Sequence, residues 1–172
     1  MDLIVYYKIF IFFNLDCLAI CVIGTSTLFF FLILFTLLKN NFKIVKIIHI
    51  SSYLFFIISY LSTSLINPGI PSFKFYSKNF VVKDKEQLRR YQKCKKCNII
   101  ILKKYKVSHC DICDICVIGY DHHCPWSGKC IGKYNIWFFC LFIFSFFIYS
   151  LSSFLTYIFY FIYNSNAKNN KK

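Results

Sequence analysis

The stretch "YDHHCPWSGKCIGKYN", residues 120–135, gathers Asp121, His122, His123, Cys124 and Cys130 into one short loop. Upstream stand "CKKC" (94–97) and "HCDICDIC" (109–116), so that seven of the ten Cys and three of the four His fall between Cys94 and Cys130. A Cys-x-x-Cys pair lets two thiolates reach one tetrahedral zinc at about 2.3 Å, and in a reducing compartment such pairs favour metal over disulfides. The available donors are Cys94, Cys97, Cys110, Cys113, Cys116, Cys124 and Cys130, with His109, His122 and His123. Two Cys3His sites use eight of these and leave one Cys and one His. A spare Cys–His pair beside an Asp is the minimum equipment for an activated thiolate, in which His takes the proton and Asp orients the His. Counting does not say which residues are spare. A purely zinc-folded binding module is the competing reading, since each structural zinc supplies on the order of 10 kcal/mol of folding free energy.

The rest of the chain must hold this loop. Its 172 residues are 58% hydrophobic and 22% aromatic, and the apolar residues come in runs. Residues 17–38 and 136–163 carry no charge, and 47–66 has His49 as its one titratable group apart from tyrosines. About 20 helical residues cross the roughly 30 Å hydrocarbon core of a bilayer, so each run is long enough. Three such runs as buried helices of a soluble domain would leave no surface to solvate. The sequence therefore predicts an α-helical integral membrane protein, with three transmembrane helices and a Cys-rich loop folded around two zinc ions. Of its 21 Lys and Arg, 14 lie in 67–135 against five acidic residues, which places that loop and the N-terminus in the cytosol. That charge also suits anionic headgroups or cofactor phosphates. Nucleic acid is a poor partner, because the cations form no long helical stripe. A zinc transporter is a weak reading too, because the runs hold no carboxylate.

The resulting map has an N-terminal segment (1–16), membrane helices at 17–38 and 47–66, a basic linker (67–93), the Cys-rich zinc domain (94–135), a third membrane helix (136–163) and a disordered tail (164–172). No cleavage site precedes the first run, which reads as an uncleaved anchor. Asn67-Pro68-Gly69 is an exit turn, since proline cannot continue a helix and glycine permits positive φ. "KDKEQLRRYQK" (83–93) suits one polar helix. Cys17, Cys21 and Cys140 read as packing residues, and His49 as interfacial. No internal repeat is evident beyond the Cys pairs.

"DHHCPW" (121–126), followed by "CIG" and Asn135, resembles the signature of the DHHC-type protein S-acyltransferases, the palmitoyltransferases, over Cys94 to Phe139. The resemblance implies that Cys124 takes a fatty chain from acyl-CoA as a thioester and passes it to cysteines of membrane-associated proteins. His122 is then the base and Asp121 its orienting partner. It also implies one zinc on Cys94, Cys97, His109 and Cys116, and a second on Cys110, Cys113, His123 and Cys130. It implies an acyl cavity among the membrane helices, which Ser145, Ser150, Ser152, Ser153 and Thr156 could line, although bonds to backbone carbonyls are the simpler role for most. A multi-pass setting in the endoplasmic reticulum or Golgi follows as well. The sequence departs from the family pattern in four ways. Only three runs stand where the family has four helices or more, which reads as a truncated chain. Asn67 replaces the usual Asp before Pro-Gly. The Cys97–His109 gap is longer than usual and lacks its Pro-Arg stretch. Ser127-Gly128-Lys129 replaces the more usual residues before Cys130, in the surroundings of the thiolate. A zinc-folded adaptor or inactive member of the family is the alternative.

Overall fold

The computed structural model describes residues 17–38, 42–71 and 89–169. Among the described residues, three long helices, α1 (Cys17–Leu38), α2 (Lys43–Leu65) and α3 (Ile136–Asn169), flank a segment of six short strands. These are β1 (Tyr91–Cys94), β2 (Ile99–Leu102), β3 (Val107–Cys110), β4 (Ile115–Ile118), β5 (His122–Cys124) and β6 (Lys129–Ile131). Among the described residues the chain divides into two compact units, one holding 17–19, 62–71 and 89–137 and the other 20–38, 42–61 and 138–169.

The helical unit is apolar outside and partly polar inside. Its outward side chains include Leu28, Phe31, Phe35, Ile47, Ile58 and Phe147, each more than half exposed. Buried positions on α3 are Phe142, Ser145, Tyr149, Ser153 and Thr156, a repeat of three and four residues that traces one helix face. Phe56 stacks on Tyr149 (5.6 Å) and Phe30 on Tyr53 (4.0 Å), while Tyr149 Oη donates to the Ser26 carbonyl (2.9 Å). Exposing phenylalanine while burying serine is unfavourable in water. In hydrocarbon it is the stable arrangement, because apolar side chains then meet lipid and the small polar residues pack between helices. All three helices are long and apolar enough to cross a membrane.

Helix ends differ from the hydropathy reading. Helix α2 begins at Lys43, ahead of residue 47, because a charge at a helix end interrupts an apolar run without interrupting the backbone hydrogen bonds. Helix α3 continues through Asn169, so 164–169 of the expected disordered tail is helical; residues 170–172 lie outside the described part. Neither Pro nor Gly stands between 164 and 169, and each added residue gains one i→i−4 bond. Residues 1–16 and 72–88 also lie outside it, and with them most of the expected linker and polar helix. Arg89 and Arg90 are helical as expected, but Tyr91–Lys93, the end of the expected helix, is in β1, held there by pairing with β2.

The strand segment is three antiparallel hairpins, β1–β2, β3–β4 and β5–β6, each a separate two-stranded sheet. Such small sheets bury little: Ile99, Ile101, Val107 and Ile118 cluster with Cys116, while Val117 packs with Cys110, Cys113 and Cys130. Two-stranded ribbons of this size are marginal alone, so the cysteines must do more than pack. The hairpins are tied to the end of α2. Gly69 N and Ile70 N both donate to Asn67 Oδ1 (2.8 Å each), closing the exit turn through the Asn that stands in place of Asp. Ile118 N then donates to the Gly69 carbonyl (2.8 Å), and Gly132 approaches the Pro68 carbonyl so closely that a Cβ there would lie 2.5 Å from it.

Candidate functional site

The hairpins share one design, which answers the absence of an evident repeat. Cys94, Cys110 and Cys124 each end the first strand of a hairpin, and four turn residues follow. The fourth has positive φ in every case: Asn98 (52°), Asp114 (53°) and Gly128 (61°). Three residues after each strand-end cysteine stand Cys97, Cys113 and Ser127. The second and third hairpins also align as "HCDICDIC" and "HCPWSGKC". The repeat escapes a sequence scan because only the αL position and the strand ends are common to all three.

Strand register then sorts the donors. His109 faces Cys116 across β3–β4, and His123 faces Cys130 across β5–β6. Each pair meets the two knuckle cysteines of the preceding hairpin. The donor atoms of Cys94, Cys97, His109 and Cys116 lie within 4.8 Å of one another, as do those of Cys110, Cys113, His123 and Cys130. His109 Nδ1 stands 3.6, 3.2 and 3.8 Å from the sulfurs of Cys94, Cys97 and Cys116. His123 Nδ1 stands 3.9, 3.2 and 3.9 Å from those of Cys110, Cys113 and Cys130. Zn–S and Zn–N bonds at tetrahedral angles require edges of about 3.5–3.8 Å, so Cys3His sets of this size fit two zinc ions. On the outer side of the first set, His109 Nε2 lies 3.4 Å from Asp114 Oδ1 and 3.6 Å from Asp111 Oδ1. Neither contact is a hydrogen bond, so the two carboxylates act on the imidazole through their charge. The long Cys97–His109 gap is taken up by a 3₁₀ turn, Lys103–Tyr105, between β2 and β3, and leaves His109 in place.

Without metal the sulfurs repel one another's charge. Cys113 accepts a hydrogen bond from Cys130 (3.4 Å), which lowers its thiol to about 6; burial opposes the shift. Cys130 is correspondingly pushed up, first by that bond and then by burial, and Cys116 is pushed up chiefly by burial. One thiolate per cluster is tolerated and the next is resisted. A divalent cation removes that resistance.

Cys124 belongs to neither set. It is 2% exposed, and its sulfur makes no hydrogen bond among the described residues. Successive strand residues point to opposite faces, so His122 and Cys124 share one face of β5 while His123 turns to the other. Asp121 Oδ2 lies 3.0 Å from His122 Nδ1, and both side chains are substantially exposed. Opposite Cys124 in the ladder is Lys129, half-buried, whose Nζ donates to the Ser64 carbonyl in the last turn of α2 (2.6 Å). Burial lowers its ammonium pKa, with the neighbouring thiolates opposing. Asn135, fully buried, donates through Nδ2 to the carbonyls of Thr63 (3.3 Å) and Cys130 (3.0 Å) and accepts from Gly132 N (2.8 Å). The contacts of Lys129 with Ser64 and of Asn135 with Thr63 are beyond sequence reasoning, since they join residues more than 60 positions apart.

The helical unit contains a cavity of about 510 Å³ lined by Thr25, Ser26, Phe29, Tyr149, Ser150 and Ser153, among others. That lies within the range of about 300–1,000 Å³ usual for small-ligand sites. Of the serines singled out, Ser150 and Ser153 line it, whereas Ser145 Oγ donates to the Phe142 carbonyl (2.9 Å). His49 is fully buried and stacks on Phe30 (5.2 Å), not interfacial, because its face of α2 turns inward. Cys21 and Cys140 are exposed on the apolar exterior and do not pack inside; the Cys17 side chain lies outside the description.

Comparison with known proteins agrees with this geometry. The family model described as DHHC palmitoyltransferase matches residues 87–172. "Palmitoyltransferase ZDHHC9" of Bos taurus is 46% identical over 68 residues, covering 40% of this chain and 18% of that protein. "Palmitoyltransferase ZDHHC18-B" of Danio rerio is 33% identical over 144 residues, covering 70% of this chain and 37% of its own length. "Palmitoyltransferase ZDHHC14" of Homo sapiens is 53% identical over 45 residues, or 26% and 9%. The chain thus spans well under half the length of these relatives. With its paired Cys3His sets and its Asp-His-His-Cys motif, the chain belongs to the DHHC palmitoyltransferase family.

Proposed function

We propose that this protein is a membrane-embedded protein S-acyltransferase that carries a fatty chain on Cys124. The observation that carries the reading is the separation of Cys124 from both Cys3His sets, on the strand face it shares with His122. With Nδ1 engaged by the Asp121 carboxylate, Nε2 of His122 is the nitrogen that takes the Cys124 proton. The thiolate attacks the acyl-CoA carbonyl, the bond from that carbonyl to the CoA sulfur breaks, and the leaving thiolate recovers the proton from His122. In the second half, the thiol of a membrane-associated protein gives its proton to His122 and attacks the acyl-Cys124 carbonyl, and Cys124 leaves as thiolate. Each half exchanges one thioester for another, so neither has a large thermodynamic drop. Two zinc ions held by Cys94, Cys97, His109 and Cys116 and by Cys110, Cys113, His123 and Cys130 supply the folding energy that the small hairpins lack.

The cavity in the helical unit suits the acyl chain, since the rings of Phe29, Phe146, Tyr149, Phe154 and Tyr157 form much of its wall, with the hydroxyls of Thr25, Ser26, Ser150 and Ser153 between them. The apolar helix exteriors and the concentration of cations in 67–135 support a multi-pass membrane protein with its Cys-rich segment cytosolic. The test is auto-acylation of the purified chain with a clickable acyl-CoA, beside Cys124→Ser. Hydroxylamine-sensitive label on the parent that vanishes in the variant is expected. Label that persists in Cys124→Ser would put the chain on another residue and overturn the assignment, and no label on a chain carrying two zincs would leave an adaptor that keeps the fold.

A further inference from the structure

The end of an α-helix leaves its last four carbonyls without intrahelical partners, and they carry the negative end of the helix dipole. In α2 two of these carbonyls are met by the third hairpin and its exit. Lys129 Nζ donates to Ser64 O at 2.6 Å, and Asn135 Nδ2 donates to Thr63 O at 3.3 Å. Ser64 replies, its Oγ donating to the Ser127 carbonyl at 3.4 Å. Residue 64 is therefore bonded twice to the segment 127–129, which closes the turn after Cys124. Lys129 is the residue directly opposite Cys124 in the ladder. A half-buried ammonium at a helix C-terminus is a favourable and short-range contact, and no backbone bond duplicates it there among the described residues.

We propose that Lys129 is a positioning residue for Cys124: by seating its ammonium on the last turn of α2, it pins the strand opposite the nucleophile and holds the sulfur in place for acyl transfer. The proposal rests on the acyltransferase reading for its kinetic consequence but not for the pinning itself. Lys129 touches no metal donor through its side chain, so its loss should leave the zinc sets intact. Misplacing a reacting atom by about 1 Å can cost on the order of 100-fold in rate, so even slight loosening is measurable.

The experiment uses the full chain in nanodiscs, as parent, Lys129→Met and Lys129→Arg, with Cys124→Ser as the blank. Metal content, auto-acylation rate against acyl-CoA concentration, and the rate of iodoacetamide alkylation at Cys124, read by mass spectrometry, are measured together. Lys129→Met should keep two zincs, lower the maximal acylation rate about 10-fold or more at unchanged half-saturation, and alkylate faster at Cys124 as the hairpin loosens. Lys129→Arg, which keeps a cation and a donor, should restore most of both rates. A raised half-saturation at unchanged maximal rate would make Lys129 a contact of the donor and overturn the proposal. So would loss of zinc in both variants, which indicates a purely structural role. If the parent takes no label, the acyltransferase reading fails by itself. The alkylation rates then still decide the pinning, and equal rates for parent and Lys129→Met sink it.

Discussion

Cys124 faces Lys129 across the β5–β6 ladder, while its neighbour His123 faces Cys130 one step along. The alternation of a strand therefore turns two adjacent residues to opposite faces. His123 and Cys130 close a donor set, and Cys124 stands on the opposite face with His122.

The β3–β4 hairpin serves both donor sets. It gives His109 and Cys116 to one, and Cys110 and Cys113 to the other. Losing one site should therefore disturb both. Cys116→Ser is expected to bind fewer than two zincs and to expose the 94–131 segment to protease, whereas Cys124→Ser should bind two. Metal analysis of the purified chains checks this, and full zinc content in Cys116→Ser would remove it from the ligand set.

Gly132 packs where the exit turn of α2 and the β4 strand converge. A Cβ there would stand 2.5 Å from the Pro68 carbonyl and 2.6 Å from Val117 Cγ1. Neither is the flexible tip of a long side chain, so Gly132→Ala must shift backbone, at a cost of about 1–3 kcal/mol typical of overpacking. Thermal unfolding followed by release of zinc to a chromogenic chelator should start at a lower temperature than in the parent. An unchanged release profile would mean that the exit turn yields freely.

Ser127 occupies the place of the second knuckle cysteine in the third hairpin. The turn already has the αL residue, Gly128, that Asn98 and Asp114 supply in the other two. Ser127→Cys should therefore create a pair able to capture Cys124, as a disulfide under oxidation or as ligands to added metal. Acylation should fall sharply in air and recover with reductant and chelator mild enough to spare the zincs. Full activity in oxidising buffer would show that the third turn holds its thiols too far apart.

Much of the protein was legible in the residue string. Three uncharged runs dictate three helices, because a backbone in hydrocarbon must satisfy its own hydrogen bonds. Paired cysteines at knuckle spacing dictate metal-scale clusters, and the motif with its flanks carried the family. Spacing alone left His122 against His123 and Cys124 against the other thiols undecided, because adjacent donors are equally near in sequence. Strand register settles which donors meet. The burial of His49, the outward face of Cys21, and the hold of Lys129 and Asn135 on the last turn of α2 were likewise beyond the sequence. Each depends on contacts between residues far apart in the chain, and such contacts exist only once the backbone has closed them.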